Sequence, residues 1–389
     1  MFRMKSSTIR ACAYFAIIVF SLLISLFVIT PLYQRSKERN PFRRNHVFER
    51  VCPETGSESA APTNHVALSA AIETAVQRIQ SRNNGSVIVS TTVNKEAAKE
   101  NLIYFMESLL QLTPPMLFNT IIFCLDKWSC HKCSALHLDP QLCLYMDLGV
   151  SEESLAPLLG SKEFSNRSYW RLTYGRVFTT LRIHSQGVSV LPVDVDAVFL
   201  INPFLETEEI SEKPDSISAV IDSIPFQLST SDTSLLINGG FLYFPATSPK
   251  SAITTNNVLQ KIWRQSCMAE NEQLVTTKVL KELYNTTSPS DPTRPRILNH
   301  EKYLNFCNLP CGSNQFKFNE ILSIEDLHTF ETNMHNKSEF KLCEKENRKK
   351  WVFFHAACIK WHDGHSRNLA KHKGLVQKAI LQWVQESRL

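Results

Sequence analysis

Hydrophobic positions along the chain change period several times, and each change marks an element. Residues 11–30, "ACAYFAIIVFSLLISLFVIT", are uncharged and almost wholly apolar. As a helix this run would reach about 30 Å, the thickness of a bilayer core. It reads as an uncleaved signal-anchor, because a cleaved signal peptide would show a shorter apolar stretch and a small-residue cleavage site. Residues 31–85 are polar and irregular, with one helical pattern at 66–80, as expected of a stem that holds a domain away from a membrane.

From residue 86 the pattern is that of a packed α/β domain. "SVIVSTTV" (86–93) is a β-branched run of strand type, residues 96–112 set Leu102, Ile103, Met106, Leu109 and Leu110 at helical spacing, and "FNTIIFCLD" (118–126) is a second apolar strand. Strand, helix, strand is the signature of a parallel sheet with covered faces. Residues 169–185 read as a helix ended by Gly187, leading into "VSVLPVDVDAVFLINPF" (188–204). Further strands are expected at 216–222, 235–244 and 350–356, and helices at 257–268, 272–283 and 368–386. Cysteine-rich loops interrupt the order at 124–143 and 307–311. The organisation expected is a tail (1–10), a membrane span (11–30), a stem (31–85) and one α/β domain (86–389).

Composition narrows the function classes. The chain has 389 residues and 43% hydrophobic content, so disorder cannot account for most of it. Its net charge of +5 is local: residues 1–50 carry 9 basic and 2 acidic side chains, leaving 33 basic and 35 acidic in the rest. That balance argues against nucleic-acid binding and sets the basic flank against anionic head groups. A bare positive-inside count, with Arg3, Lys5 and Arg10 before the span and six basic residues soon after it, would leave the domain in the cytosol. Two features oppose this. Ten of the 11 cysteines lie outside the span, an even number that suits disulfides in an oxidising lumen, and N-glycosylation sequons stand at Asn84, Asn166, Asn285 and Asn336. Zinc at Cys130-x-x-Cys133 would need a second ligand pair and reduced thiolates.

Candidate chemistry centres on Asp194 and Asp196. In a strand, residues two apart share a side, so both carboxylates would be aimed at one point. At the carboxyl end of a parallel strand, where open α/β sheets bind ligands, such a pair can hold Mg²⁺ or Mn²⁺. The bland reading is a solvated turn; the apolar flanks on both sides speak against it. Pro192 lies inside the same strand, where its missing N–H should disturb the ladder. Asp222, ending "SAVID", is either an active-site carboxylate or a turn cap. The chain contains no Gly-x-Ser-x-Gly, Walker loop, Gly-x-Gly-x-x-Gly or His-Glu-x-x-His.

Several motifs taken together add a resemblance. Arg176, Gly187, Asp194-Val195-Asp196 and Asn202-Pro203-Phe204 are followed by "INGGFLYF" with Asn238, Gly240 and Phe241. Then come "ENEQLV" with Glu272 and Gln273, and finally His355, Gly364 and Lys371. Over roughly residues 87–381 this resembles a Golgi-type nucleotide-sugar glycosyltransferase of the GT-A fold, closest to the plant xylosyl-, arabinosyl- and galactosyltransferases that act with retention. Glu272 stands where that family usually has Asp.

The resemblance implies an α/β fold with a Rossmann-like mixed sheet flanked by helices. It implies that Asp194 and Asp196 hold Mn²⁺ (or Mg²⁺) against the diphosphate of a UDP-sugar, with His355 as third ligand and His362 and His365 as competitors. Arg176 and Lys371 would contact the diphosphate, Thr91, Thr92 and Asn94 the nucleotide, and Asp222, Asn238, Glu272 and Gln273 the reacting sugar and acceptor. Expected partners are a glycan or glycoprotein acceptor and the membrane, in a single-pass type II Golgi protein with a lumenal catalytic domain. Homo-oligomerisation is left open. The alternatives are an inactive membrane-tethered binding protein of the same fold and a metal-dependent phosphohydrolase.

Overall fold

The structure is a computed structural model that describes residues 62–83, 87–149, 167–205, 208–221, 237–266, 272–305, 323–334, 343–356 and 369–388. All of these lie in one compact unit, Val51–Leu389. A helix, α1 (His65–Asn83), precedes β1 (Val87–Val93), and short helices α2 (Lys95–Glu100) and α3 (Leu102–Leu110) lead to β2 (Thr120–Cys124), α4 (Lys127–Leu136) and β3 (Cys143–Tyr145). Then follow α5 (Arg167–His184), β4 (Ser189–Pro192), β5 (Ala197–Phe199), β6 (Ser218–Ile221), β7 (Ile237–Tyr243), α6 (Pro249–Ser266) and α7 (Glu272–Thr286). The described part closes with β8 (Arg296–Ile297), β9 (Tyr303–Asn305), α8 (Ile324–Met334), β10 (Phe353–His355) and α9 (Leu369–Arg388), with four-residue helical turns at Glu209–Glu212 and Lys345–Arg348.

Strands β3-β2-β1-β4 form a wholly parallel sheet. Its central strands are buried on both faces: Ile88, Val89, Ile121 and Ile122 have no exposed surface. Beside it, antiparallel bridges pair Val190 with Phe244 and Val193 with Phe241, joining β4 to β7. In that register Pro192 faces Leu242, at the rung where its absent N–H would have bonded. The Val190–Phe244 bonds stand on one side of the gap and Asp194 N–H to Gly240 O, at 3.2 Å, on the other. Pro192 thus interrupts the ladder for one rung, immediately before the two aspartates. Two three-stranded groups, β7-β6-β8 and β5-β10-β9, complete the mixed arrangement. Packed rings lock β5, β7 and β10 together: Phe353 lies 4.7 Å from Phe241 and 5.3 Å from Phe199, measured between ring centroids.

Three segments differ from the pattern-based expectation. The helix expected at 96–112 breaks at Asn101, whose side chain donates to Ala370 O (3.2 Å) and Gln377 Oε1 (2.8 Å) of α9. Close approach explains the break, since a Cβ on Gly374 would lie 2.2 Å from Glu100 O. The helical pattern placed in the stem becomes α1, which buries Leu68, Ile72, Ala75, Val76 and Ile79 against α5 and β3. Arg78 and Arg82, on the same helix, both pair with Asp139 at 2.5 Å. The first cysteine-rich loop contains α4, capped by reciprocal bonds between Asp126 and Ser129, and a Cys133–Cys143 disulfide ties it to β3. Cys133 is therefore no zinc ligand; Cys343 is also disulfide-bonded, while Cys124 and Cys130 are free thiols.

The expected membrane span at 11–30, the cysteines of 307–311 and the sequons at Asn84, Asn166 and Asn336 lie outside the described residues. Asn285 is exposed at the end of α7. Among the described residues no helix is long and apolar enough to cross a membrane.

Candidate active site

Asp194 and Asp196 do not converge by strand alternation. β4 ends at Pro192, and the chain turns, with Ala197 N–H donating to Asp194 O at 3.2 Å, before entering β5. Both carboxylates sit in this turn at the carboxyl edge of the parallel sheet. Two neighbours hold the turn in shape. Just after β10, Ala356 N–H donates to Asp196 O at 3.0 Å. From α9, the Gln377 amide donates to both Val195 O and Ala197 O, each at 2.9 Å.

His355 enters from β10, which pairs with β5 so that His355 stands opposite Ala197. Its Nε2 lies 3.1 Å from Asp196 Oδ1 and 3.3 Å from Asp194 Oδ2. Its Nδ1 lies 3.0 Å from Asn238 Oδ1, which also accepts the Gly240 amide at 2.6 Å. Since an amide N–H must donate, Oδ1 is the acceptor and Nδ1 of His355 the donor. Gly240 is needed for this closeness, because a Cβ there would lie 2.2 Å from His355 Cε1. At the neighbouring Gly239 the nearest atoms would be 3.7 Å away.

Three basic groups surround the two aspartates. Arg176, from α5, reaches Asp194 Oδ1 at 2.7 Å and also donates to Gly239 O. Lys373, from α9, reaches Asp196 Oδ2 at 2.5 Å. Burial by itself would raise both carboxyl groups, but Arg176 and His355 pull Asp194 below its ordinary range, and Lys373 and His355 pull Asp196 further down. For His355, burial opposes a charge while the two carboxylates favour it, and the result is a pKa pushed up to about 9. Glu272, buried at the first position of α7, is pushed up by burial, with Arg176 opposing. Asp194 is the open member, its side chain 40% exposed against 9% for Asp196.

The structure therefore gathers Arg176, Asp194, Asp196, Asn238, Glu272 and His355 in one place. Gln273 is half-buried beside Glu272. Thr91, Thr92 and Asn94 lie at the carboxyl end of β1, next to the turn, since Val193 N–H donates to Ser90 O at 2.9 Å. Asn94 also has a structural duty as N-cap of α2, accepting from Ala97 N–H at 3.0 Å. Lys371 is not brought to the aspartates: it is exposed on α9, and the lysine that reaches them is Lys373. Gln377 was also missed. Both fall on the buried stripe of α9 (Ala370, Lys373, Gly374, Gln377, Ile380 and Val384), and a lysine and a glutamine at core spacing were the available signal. Asp222, His362 and His365 lie outside the described residues.

Among the described residues, Asp194, Asp196 and His355 form the group able to hold a metal ion, each offering one ligand atom within 4.8 Å of the others. Residues 116–367, well over half of the chain, match the nucleotide-diphospho-sugar transferase family. The chain belongs to that family. It is thus a glycosyltransferase by family, with a nucleotide-sugar donor, and its parallel sheet and mixed extension suit the GT-A fold. No curated protein matches it.

Solved structures similar to it include mouse xyloside xylosyltransferase 1 in its apo form, at 12% identity and a TM-score of 0.38, covering 71% of this chain and 99% of that one. The bifunctional glycosyltransferase WbbM is similar at 14% identity and a TM-score of 0.40, covering 79% of this chain and 52% of that one. The galactosyltransferase LgtC, in complex with donor and acceptor sugar analogs, is similar at 13% identity and a TM-score of 0.33, covering 75% and 95%. At such scores the likenesses stand as similarities alone.

Proposed function

We propose that this glycosyltransferase is metal-dependent and moves a sugar from a UDP-sugar to a glycan or glycoprotein acceptor. The observation that carries the reading is the convergence of Asp194, Asp196 and His355 at the carboxyl edge of the sheet. Two carboxylates and one imidazole suit Mn²⁺, with Mg²⁺ as second choice. When bound, the ion supplies Lewis acidity toward the leaving diphosphate.

The chain's own residues supply the rest. Arg176 and Lys373 are placed to neutralise diphosphate charge, acting where water is scarce and their charge is least screened. Thr91, Thr92 and Asn94, at the end of β1, are assigned to the nucleotide. Glu272 and Gln273, at the start of α7 near Arg176, are assigned to the transferred sugar and acceptor. Retention of anomeric configuration, and closeness to the plant pentosyl- and galactosyltransferases, belong to the same proposal and rest on the sequence resemblance.

The decisive experiment is a screen of nucleotide-sugars for Mn²⁺-dependent binding and transfer, with Asp196→Ala as control. Transfer should require the ion and vanish in the variant while the circular-dichroism spectrum stays native; full activity of that variant would overturn the assignment. A type II Golgi topology with the domain in the lumen is part of the proposal, supported by the exposed sequon at Asn285 and the Cys133–Cys143 disulfide. It predicts a loss of apparent mass on N-glycosidase treatment. No shift, together with cytosolic protease access, would reverse it.

A further inference from the structure

The carboxylate oxygens that would receive a metal ion are already engaged by side chains of the protein itself. Asp196 Oδ2 is taken by Lys373 at 2.5 Å and Oδ1 by His355 at 3.1 Å, while Asp194 Oδ1 is taken by Arg176 at 2.7 Å and Oδ2 by His355 at 3.3 Å. The three basic groups are not held alike. Arg176 has a second anchor on Gly239 O, and His355 has one on Asn238. Among the described residues, Lys373 Nζ is anchored on Asp196 alone. It sits at the end of a flexible four-carbon stem, and the stem is buried, with 11% of the side chain exposed. Lys373 cannot turn out to water without losing that burial, so it moves toward another anion or stays.

Resting on the metal-dependent reading above, we propose that Lys373 is a place-holding counter-ion that couples divalent-cation binding to diphosphate binding. With its ammonium on Asp196, an arriving cation meets a like charge within a few ångströms in a poorly screened site. A diphosphate changes this. It gives the ammonium a second anion to pair with, and Asp196 is released as a ligand. Cation and diphosphate therefore each favour the other's binding, by one and the same factor, as linkage requires. A lysine that merely touched a diphosphate would leave cation binding in the absence of nucleotide untouched. One that only braced the fold would strengthen nothing on removal.

The test uses the full-length chain, with Mn²⁺ and UDP as probes, in isothermal titration. For the wild type, UDP should tighten Mn²⁺ binding at least tenfold. Lys373→Met keeps the stem and removes the charge. It should bind Mn²⁺ alone about tenfold more tightly than the wild type, while the tightening by UDP shrinks by a similar factor. Lys373→Gln, a second neutral variant, should behave alike if the methionine variant does not fold, and Lys373→Arg should keep the wild-type coupling. Unchanged or weaker Mn²⁺ binding by the folded neutral variants would overturn the proposal. So would a wild type in which Mn²⁺ and UDP bind independently, a result that leaves the metal-dependent reading standing. Mn²⁺ binding neither with nor without UDP would remove both.

Discussion

Asn238 decides which nitrogen of His355 faces the two aspartates. Its Oδ1 accepts Nδ1–H of the imidazole at 3.0 Å while being fixed by the Gly240 amide at 2.6 Å, which leaves Nε2 directed at Asp194 and Asp196. Partners of this kind set ligand orientation, and their loss typically lowers metal affinity by about 10- to 100-fold. Asn238→Ala should show that drop in Mn²⁺ titrations with UDP present. Asn238→Asp keeps an acceptor and should retain most of the affinity. Equal binding by wild type and alanine variant would remove Asn238 from this role.

The paired glycines of β7 separate cleanly. A methyl at Gly240 meets His355 at 2.2 Å and must drive the ring away, whereas one at Gly239 finds ordinary contact distances of 3.7 Å to Arg176 and Glu272. Gly239→Ala should thus bind donor and ion much as the wild type does, and Gly240→Ala should lose both. Side-by-side donor-binding isotherms decide the matter, and equal tolerance at the two positions would contradict the geometry.

Gln377 braces the turn that carries the aspartates. Fully buried, its amide donates to Val195 O and Ala197 O and its Oε1 accepts from Asn101. Gln377→Leu has similar bulk but removes the amide from the Val195 and Ala197 carbonyls, while Asn101 keeps its bond to Ala370 O, at a cost of about 2–4 kcal/mol. Urea unfolding should show the loss, and donor binding should weaken with it. Wild-type stability in the variant would mean that the turn holds its shape unaided.

A buried histidine away from the site contributes to the loss of stability in acid. His184, buried at the end of α5, lies with Nε2 3.1 Å from Pro245 O, and burial lowers its pKa from 6.5 to about 4. The folded chain keeps it neutral while the unfolded chain protonates it below pH 6.5, so its contribution is complete above that pH and is lost as pH falls toward 4. The difference corresponds to roughly 3 kcal/mol. Thermal melts between pH 7 and pH 4.5 should fall less steeply for His184→Gln than for the wild type; parallel curves would assign the acid lability elsewhere.

These sites differ in how visible they were in the sequence. β1 announced itself by its β-branched residues and β2 and β4 by their apolar runs, while α5, α7 and α9 kept their period over three or more turns. Asp194, Asp196, His355 and Arg176 could be proposed from motif and resemblance. What failed depended on contacts between distant segments. The break at Asn101 exists because Gly374 lets α9 approach Glu100, 274 residues later in the chain. Lys371 and Lys373 are two residues apart on one helix, and only its packing tells which of them turns inward. The helical pattern at 66–80 was legible, but its polar surroundings suggested a stem, and that α1 packs on α5 shows only in the fold. Pro192, a contradiction within a regular ladder, becomes intelligible once the neighbouring strand shows the one rung it interrupts.

The dependence of the aspartate turn on α9 also sets an order of assembly. All four strands of the parallel sheet precede the aspartates, but Lys373 and Gln377 come about 180 residues after them. Until then the growing chain holds two carboxylates without one of their counter-charges, and carbonyls without their amide. The site is therefore complete only once α9 has been made. A chain stopped before α9 would carry the whole Asp-Val-Asp sequence and no working site.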